Sequence, residues 1–195
     1  VESELLAENY ITEFNEMWEH GEGIFSKNEG FGPKSPALTP NTKMSIDTVR
    51  VENYFAPEDE VLDKILKELN KAEVSIHVMA FSFTSQEMAS VMRMKKRAGL
   101  GGKVLFHGSG AQTEYSQYKS MKEVGADVYI SHNTRGVMHN KVIIIDRSIV
   151  ITGSFNFSNN ANKSNDENLL IIHSPDLAAV YEEEFQRCVR GVKGY

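Results

Sequence analysis

Short apolar segments alternate with amphipathic ones from Thr48 to the end of the chain, and this alternation constrains the fold more than any other feature. The clearest predicted strands are VSIHVMAF (74–81), KVLFH (103–107), DVYIS (127–131) and NLLIIHS (168–174). The segments between them have helical spacing, and Pro57 is predicted to open the helix PEDEVLDKILKELNKA. Strands that alternate with helices predict an α/β domain with a mixed sheet, largely parallel and partly antiparallel, flanked by helices on both faces. The antiparallel part is expected where VIIID and IVITG follow each other around the turn Arg147–Ser148.

Three regions can be distinguished ahead of and within this pattern. Residues 1–20 are predicted to contain an amphipathic helix, because Leu6, Tyr10, Phe14 and Met17 follow at three- and four-residue spacing. Residues 21–47 hold four of the 14 glycines and three of the five prolines, which predicts an irregular linker. Residues 48–195 are predicted to form the domain that carries the chemistry.

The first helix resembles the last one. SELLAENYITEF (3–14) and SPDLAAVYEEEF (174–185) share a constant offset of 171 and are identical at Ser3/Ser174, Leu6/Leu177, Ala7/Ala178, Tyr10/Tyr181, Glu13/Glu184 and Phe14/Phe185. A shared amphipathic pattern explains part of this likeness. The sharper interpretation is that residues 1–20 close an earlier repeat unit, so that the chain is the second half of a two-unit protein.

Composition excludes several classes of protein. The chain has 195 residues, 41% hydrophobic and 25% charged, which is ordinary for one soluble globular domain. No run approaches the roughly eighteen apolar residues of a membrane helix, and the single cysteine, Cys188, excludes an intrachain disulfide. The net charge of −6 argues against a generally basic nucleic-acid surface but leaves room for a local positive groove. Without a membrane helix we expect a soluble protein. The chain begins with Val1 rather than Met and shows no signal peptide, so an N-terminal segment could be missing, and it stays open whether the protein is cytoplasmic or exported.

Three spaced motifs hold the polar residues of interest: His139-x-Lys141-x4-Asp146, Gly153-Ser154-x-Asn156 and Glu167-Asn168-Leu169. In a strand, His139 and Lys141 point to the same face because side chains repeat every two residues, so imidazole and ammonium reach one ligand together. Ser154 and Asn156 can share a face in the same way. Hydroxyl, amide, ammonium and imidazole groups form a donor-rich site suited to a phosphate. Glu167 is predicted to accept a hydrogen bond from one ring nitrogen of His139, which sets the tautomer and leaves the other nitrogen nucleophilic.

These motifs resemble the signature of the phospholipase D superfamily, which is H-x-K-x4-D followed by G-S-x-N and a later glutamate. MAFSFTS (79–85) also resembles the strand-to-helix segment of the nuclease-like and bacterial phospholipase-like members. The resemblance implies a metal-independent, two-step attack on a phosphodiester that needs no cofactor. One histidine forms a covalent phosphohistidine, and a second histidine protonates the leaving oxygen and then activates water.

The resemblance also implies roles for individual residues. The catalytic residues would be His139, Lys141, Asn156 and Glu167, and the substrate phosphate would be bound by Lys141, Ser154 and Asn156. Asp146 matches the signature but lies five residues beyond Lys141, so we expect a structural role for it. No metal site is expected, and structural roles are favoured for His77, His132 and His173, while His107 is a weaker candidate for the border of the pocket.

The chain holds one such motif, whereas the implied mechanism needs two. Two copies of the chain could pair in a homodimer, or a missing N-terminal half could supply the partner histidine, and the repeat favours the second possibility. The acidic net charge favours phospholipid head groups as the substrate, whereas the MAFSFTS resemblance favours an endonuclease that cleaves DNA or RNA. Transfer to an alcohol is a third enzymatic option. A non-catalytic module that only grips phosphate is the contrasting possibility, but it has no need of His139 and Glu167 together.

Overall fold

The computed structural model describes residues 2–19, 32–131 and 136–192, and these residues build one eight-stranded sheet flanked by helices. The strands are β1 (Lys43–Ile46), β2 (Val49–Ala56), β3 (Ser75–Ala80), β4 (Gly101–His107), β5 (Asp127–Ser131), β6 (Lys141–Ile145), β7 (Ile149–Gly153) and β8 (Glu167–His173). The helices are α1 (Glu4–Glu19), α2 (Val61–Lys71), α3 (Gln86–Arg97), α4 (Gly108–Ala111), α5 (Tyr118–Glu123), α6 (Asn159–Lys163) and α7 (Pro175–Arg190). A single 3₁₀ turn covers Gly32–Lys34.

The sheet has the strand order β1-β2-β8-β7-β6-β3-β4-β5 and is mixed, which confirms the predicted class. The prediction that it is largely parallel is wrong: among the described strands only the pairs β3–β4 and β4–β5 are parallel, and the other five pairs are antiparallel. Tight turns account for two of the antiparallel pairs, β1–β2 and β6–β7, because such a turn can join only antiparallel strands. The pairs β2–β8 and β3–β6 join strands that are not consecutive in the sequence. The turn between β6 and β7 has Asp146 and Arg147 at φ +52° and +53°, and Ser148 N donates to the Ile145 carbonyl oxygen at 3.0 Å. This is a type I′ hairpin turn, and it begins one residue earlier than the sequence suggested.

Both faces of the sheet are covered. Alternate residues of β6 point to opposite faces, so that Ile143 and Ile145 join the core under α2, α3 and α5, while Val142 and Ile144 join the core under α7. A strand that is buried on both faces needs apolar residues at every position, which explains why VIIID is a continuous apolar run up to Asp146. No helix within the described ranges is long and apolar enough to cross a membrane.

Two predicted boundaries differ from the structure. Helix α2 begins at Val61 rather than at Pro57, because Glu60 has a left-handed φ of +55° and ends the preceding turn. That turn is held by Asp59, whose carboxylate accepts the Phe55 N–H at 2.9 Å. The predicted linker, residues 21–47, includes strand β1, which pairs with β2 and extends the sheet. Residues 21–31 of the linker lie outside the described part of the chain. Ser85 is the N-cap of α3, since its hydroxyl accepts the Met88 N–H at 3.2 Å.

Candidate active site

Three strand ends that carry the sequence motifs meet at one edge of the sheet. β6, β7 and β8 are neighbours and run antiparallel in succession, so the start of β6, the end of β7 and the start of β8 lie side by side. A cleft of about 310 Å³ lies at this edge and is lined by His139, Lys141, Gly153, Ser154, Asn156 and Glu167. The structure therefore brings together all the residues predicted to bind phosphate or to act in catalysis.

The side chains of Lys141 and His139 are in direct contact. Lys141 Nζ lies 3.1 Å from Nδ1 and 3.2 Å from Nε2 of the imidazole, and it donates to the His139 carbonyl oxygen at 3.0 Å. A neutral imidazole has only one acceptor nitrogen, so this contact does not by itself select a tautomer. His139 is exposed to solvent at the mouth of the cleft, whereas Lys141 is only 7% exposed.

The burial of Lys141 sets the electrostatics of the cleft. Desolvation lowers the pKa of the Lys141 ammonium, and the nearby Glu167 carboxylate acts in the opposite direction and raises it. The ammonium also lies 5.2 Å from the centre of the Phe81 ring, a contact that favours a cation. A cation in such a poorly hydrated place attracts a phosphate oxygen more strongly than an exposed lysine does.

The loop after β7 is tied to the start of β8 by three hydrogen bonds. Ser154 Oγ accepts the Asn168 N–H at 3.0 Å and the Asn168 side-chain amide at 3.4 Å, and Ser154 N donates to the Asn168 carbonyl oxygen at 3.1 Å. Because the Ser154 oxygen is an acceptor in both contacts, its own proton is available to a ligand. The Asn156 side-chain oxygen is buried and accepts no hydrogen bond from the described residues.

Gly153 allows this loop to approach β8. A Cβ at this position would overlap the Asn168 carbonyl oxygen and crowd the Asn168 side chain, and the φ of +156° also favours glycine. The glycine in G-S-x-N is therefore a packing requirement of the site, because any side chain would push Ser154 and Asn168 apart.

One predicted contact is not formed. Among the described residues, Glu167 makes no hydrogen bond to His139; its Oε1 accepts the Asn165 side-chain amide at 3.0 Å, and it acts on Lys141 through its charge. The tautomer-setting role of Glu167 therefore has no contact to support it in this structure. No group of three or more His, Cys, Asp or Glu residues within the described ranges is arranged to hold a metal ion.

Asp146 lies away from the cleft, at the opposite end of β6. Its carboxylate accepts the backbone N–H groups of Glu73, Val74 and Ser75 at 2.9, 2.8 and 2.8 Å. These bonds fasten the start of β3 to the end of β6, which is the kind of structural role predicted for this residue.

Phe81 is a site residue that sequence reasoning did not single out. It follows β3, its N–H donates to the Asn140 carbonyl oxygen at 2.9 Å, and its ring lies 4.5 Å from the ring of His139. On its other side, Phe81 stacks on His107 at 5.3 Å, so His107 lies in a layer behind the cleft rather than on its border. Gly110 packs so closely on the Phe81 backbone that a Cβ there would overlap the Phe81 carbonyl oxygen. The sequence shows Phe81 as the last residue of the predicted strand VSIHVMAF (74–81), but the strand order was needed to place it beside His139.

The other histidines have local partners. His77 Nδ1 lies 2.7 Å from Glu182 and its ring stacks on Phe185 at 4.9 Å, while His173 Nε2 lies 3.1 Å from Glu52. These contacts agree with structural roles for both. His132 lies outside the described residues.

Comparison with known proteins decides the family. A family model described as "Cardiolipin synthase, PLD-like domain" matches residues 65–189, more than half of the chain. A phospholipase D from Rickettsia typhi is 34% identical over 131 residues, which cover 67% of this chain and 64% of that protein. The chain belongs to the phospholipase D superfamily. This confirms the family that the motifs resemble, although the chain spans just under two thirds of the length of this relative.

Further superfamily members are similar over comparable lengths. A mitochondrial cardiolipin hydrolase from Xenopus laevis is 28% identical over 153 residues, covering 78% of this chain and 69% of that protein. The crystal structure of Nuc, a phospholipase D family member from Salmonella typhimurium, superposes with a TM-score of 0.69 and 29% identity, covering 75% of this chain and 98% of Nuc. The mixed sheet described above is thus the fold of the superfamily.

Proposed function

We propose that this chain carries half of the active site of a metal-independent phosphodiester hydrolase that acts on phospholipid head groups. The observation that carries the proposal is the cleft itself, which is lined by an exposed imidazole, a buried ammonium, a hydroxyl with a free proton and a side-chain amide. Two relatives are named phospholipase D and cardiolipin hydrolase, which supports a phospholipid rather than another phosphodiester as the substrate.

The proposed reaction runs in two displacements at phosphorus. A ring nitrogen of His139 attacks the phosphodiester, the bond from phosphorus to the leaving alcohol breaks, and a proton from a second histidine goes to the leaving oxygen. The alcohol leaves with that proton. Water then gives one of its own protons to the second histidine while its oxygen attacks phosphorus, and the bond to His139 breaks. Dividing one difficult displacement into two is the usual benefit of covalent catalysis.

The other residues of the cleft stabilise the charge that grows on the phosphoryl oxygens. Lys141 contributes a full positive charge from a buried position, and Ser154 and Asn156 contribute neutral donors whose positions are held by the loop after β7. Such donors act without further reorganisation, because folding has already oriented them.

The second histidine must come from a second motif-bearing unit. His107 is not suited to the task, because the Phe81 ring separates it from His139. The two possible sources are a preceding N-terminal half and a second copy of the chain in a homodimer.

In the test, the natural gene product is incubated in parallel with phosphatidylcholine, cardiolipin, single-stranded DNA and RNA, and the hydrolysis of each is measured. We expect turnover of a phospholipid, unchanged by EDTA, and an acid-labile phosphoenzyme that disappears in His139→Ala. Lys67→Ala is the control for a substitution outside the cleft, because Lys67 lies on the exposed side of α2, and this variant should be fully active. Undiminished turnover in His139→Ala, or activity that EDTA removes and a divalent ion restores, would contradict the proposal.

A nuclease is the second candidate. It is favoured by MAFSFTS, which resembles nuclease-like members and contributes Phe81 to the surroundings of His139. Aromatic rings near a catalytic centre can stack on bases. Cleavage of DNA or RNA with no phospholipid turnover would establish this alternative.

A further inference from the structure

The face of the sheet that carries α7 is not covered evenly. Helix α7 packs mainly on β5, β6 and β7, whereas α1 packs on β2. Strand β8 lies between β2 and β7 and therefore under the space between the two helices. This space is a groove of about 540 Å³, and small-molecule sites have volumes of about 300–1,000 Å³.

The lining of this groove is apolar along most of its length. It includes Leu6 of α1, Leu177 of α7, Val49 and Val51 of β2, and Leu170 and Ile172 of β8. Val150 of β7 lies opposite Ile172 and belongs to the core under α7. Within the described ranges, Leu170 and Ile172 themselves belong to neither hydrophobic core. The groove is thus an apolar surface that the domain's own side chains leave open, and such surfaces mark binding sites.

One end of the groove adjoins the catalytic cleft. Asn168 and Leu170 lie two residues apart on β8 and point to the same face, at a spacing of about 7 Å. Asn168 holds Ser154, which lines the cleft. Tyr10 stands at this end, since its hydroxyl donates to Asn168 Oδ1 at 3.4 Å and its ring packs edge-on against Phe55 at 5.2 Å. A molecule bound in the cleft can therefore extend directly into the groove.

The other end of the groove lies away from the cleft and is acidic. The lining runs from Leu170 to Ser174, four residues that span roughly 13 Å at about 3.3 Å each. The hydrocarbon of one bilayer leaflet is about 15 Å thick, half of the core. Asp47 and Glu2 line the far end, so an anionic group is repelled there and attracted at the near end by Lys141 of the cleft. This polarity suits a molecule with an anionic head and an uncharged tail.

We propose that the groove between α1 and α7 binds an acyl chain of the phospholipid whose phosphate occupies the cleft. The position of the phosphate rests on the proposed function, whereas the apolar lining of the groove does not. An alkyl chain has no polar groups to satisfy. A peptide laid over the floor would find the main-chain groups of β2 and β8 already paired with each other, and its own would stay unpaired. A helix is also unsuited, because a segment about 10 Å across and 13 Å long fills about 1,000 Å³, nearly twice the groove.

The first test measures how hydrolysis depends on chain length. The natural gene product is given glycerophosphocholine and lysophosphatidylcholines with butanoyl, hexanoyl or octanoyl chains, all below their critical micelle concentrations. Burying one methylene improves binding by up to about fourfold. We therefore expect kcat/KM to rise about two- to fourfold for each methylene that enters the groove, and to level off when the chain reaches its far end.

Two substitutions place this dependence in the groove. Leu170→Trp fills the end beside the cleft and should abolish the gain from all chains relative to glycerophosphocholine. Val49→Trp fills the far end and should abolish only the gain from the longest chain. Val180→Trp is the matched control, because Val180 lies on α7 outside the groove and is 61% exposed, and it should keep the full dependence.

The second test is a binding measurement that does not need turnover. A phosphatidylcholine with a diazirine at the end of one acyl chain is photolysed with the His139→Ala variant, and the labelled peptides are identified by mass spectrometry. We expect label on residues 46–49 and 174–177, which surround the far end of the groove, and much less label in Leu170→Trp.

The possible results separate the groove from the proposed function. Phospholipid turnover that is independent of chain length, or equally dependent on it in Leu170→Trp, would overturn the groove and leave the proposed function intact. Label on the exposed rings of Phe14 and Trp18 instead of the groove would overturn it as well. So would a changed oligomeric state of Leu170→Trp, since a second copy would then be the occupant. Label in the groove of a protein that cleaves only nucleic acid would support the acyl site and refute the proposed substrate, whereas neither label nor phospholipid turnover would overturn both.

Discussion

Replacing Asp146 with alanine should destabilise the fold while the chemistry of the cleft stays intact. Asp146 directly follows β6, and Lys141 is the first residue of that strand. Five residues at about 3.3 Å each separate the two by roughly 17 Å. The Asp146 carboxylate accepts three backbone N–H groups at the start of β3, and its own N–H donates to the Ser75 carbonyl oxygen at 2.9 Å.

The size of the stability loss in Asp146→Ala depends on how well water can replace the carboxylate at each of the three N–H donors. A hydrogen bond to a charged group contributes about 1.5–3 kcal/mol, and less where water can replace the acceptor. Glu73 and Val74 are exposed, so their N–H groups find water after the substitution, whereas Ser75 is half-buried and loses most. Alanine also tolerates the φ of +52° less well than aspartate does, at about 1 kcal/mol. We expect a total loss of about 3 kcal/mol in the free energy of unfolding, which lowers Tm by about 6–12 °C in a chain of this size.

Urea denaturation followed by circular dichroism measures this loss. Asp146→Asn is the matched variant, because asparagine tolerates the left-handed backbone and keeps one acceptor oxygen, so its loss should be about half as large. The rate of phosphoenzyme formation per folded molecule should equal that of the wild type in both variants. The reasoning fails if Asp146→Ala unfolds at the wild-type midpoint, or if it stops turnover at an unchanged midpoint.

Three further outcomes are expected. Lys141→Ala should lower kcat/KM about 10²–10³-fold at unchanged Tm, which is the usual effect of removing one donor from a developing oxyanion. A smaller loss would mean that other residues stabilise the charge. Gly153→Ala should lower both Tm and kcat, whereas Gly191→Ala, where a Cβ has ordinary contacts, should change neither. The free energy of unfolding should fall as the pH rises from about 5 to about 8. Burial and the neighbouring acids Glu58, Glu16 and Asp166 raise the pKa of Glu13 to about 8. In this pH range the folded state therefore binds more protons than the unfolded state, and raising the pH favours unfolding. Glu13→Gln should flatten this dependence in melting curves recorded across that range, and an unchanged slope would place the titrating group elsewhere.

The motifs located the cleft because each lies directly beside the end of an apolar strand that the sequence makes visible. The two-residue period itself does not explain the pairing, since His139 precedes β6 and both Ser154 and Asn156 lie in the loop after β7. Contacts across strands could not be read in this way. Phe81 meets His139, and Asn168 meets Ser154, only because β3 pairs with β6 and β7 pairs with β8. Strand order is set by packing of the whole sheet, which no local pattern records.

The balance between parallel and antiparallel pairs was misjudged for the same reason. Alternation of strands and helices suits β3, β4 and β5, which are parallel and joined through helices. This alternation does not predict the partner of β2. The next strand in the sequence is β3, but β2 pairs instead with β8 from the other end of the chain. The predicted bond from Glu167 to His139 failed differently, because Asn165 is a nearer partner for the carboxylate.

The two ends of β6 have opposite tasks, and this division explains the length of H-x-K-x4-D. The strand is buried on both faces, is paired with β3 and β7, and is fastened at its far end by the Asp146 carboxylate. A strand held on every side has little freedom to shift, so Lys141 at its near end is positioned during folding rather than on substrate binding. His139 lies two residues beyond this constraint, where it is exposed and can form and break a bond to phosphorus without disturbing the core. A shorter spacing would bring the anchoring carboxylate toward the phosphate, where its charge would oppose the reaction, and a longer one would loosen the hold on the lysine.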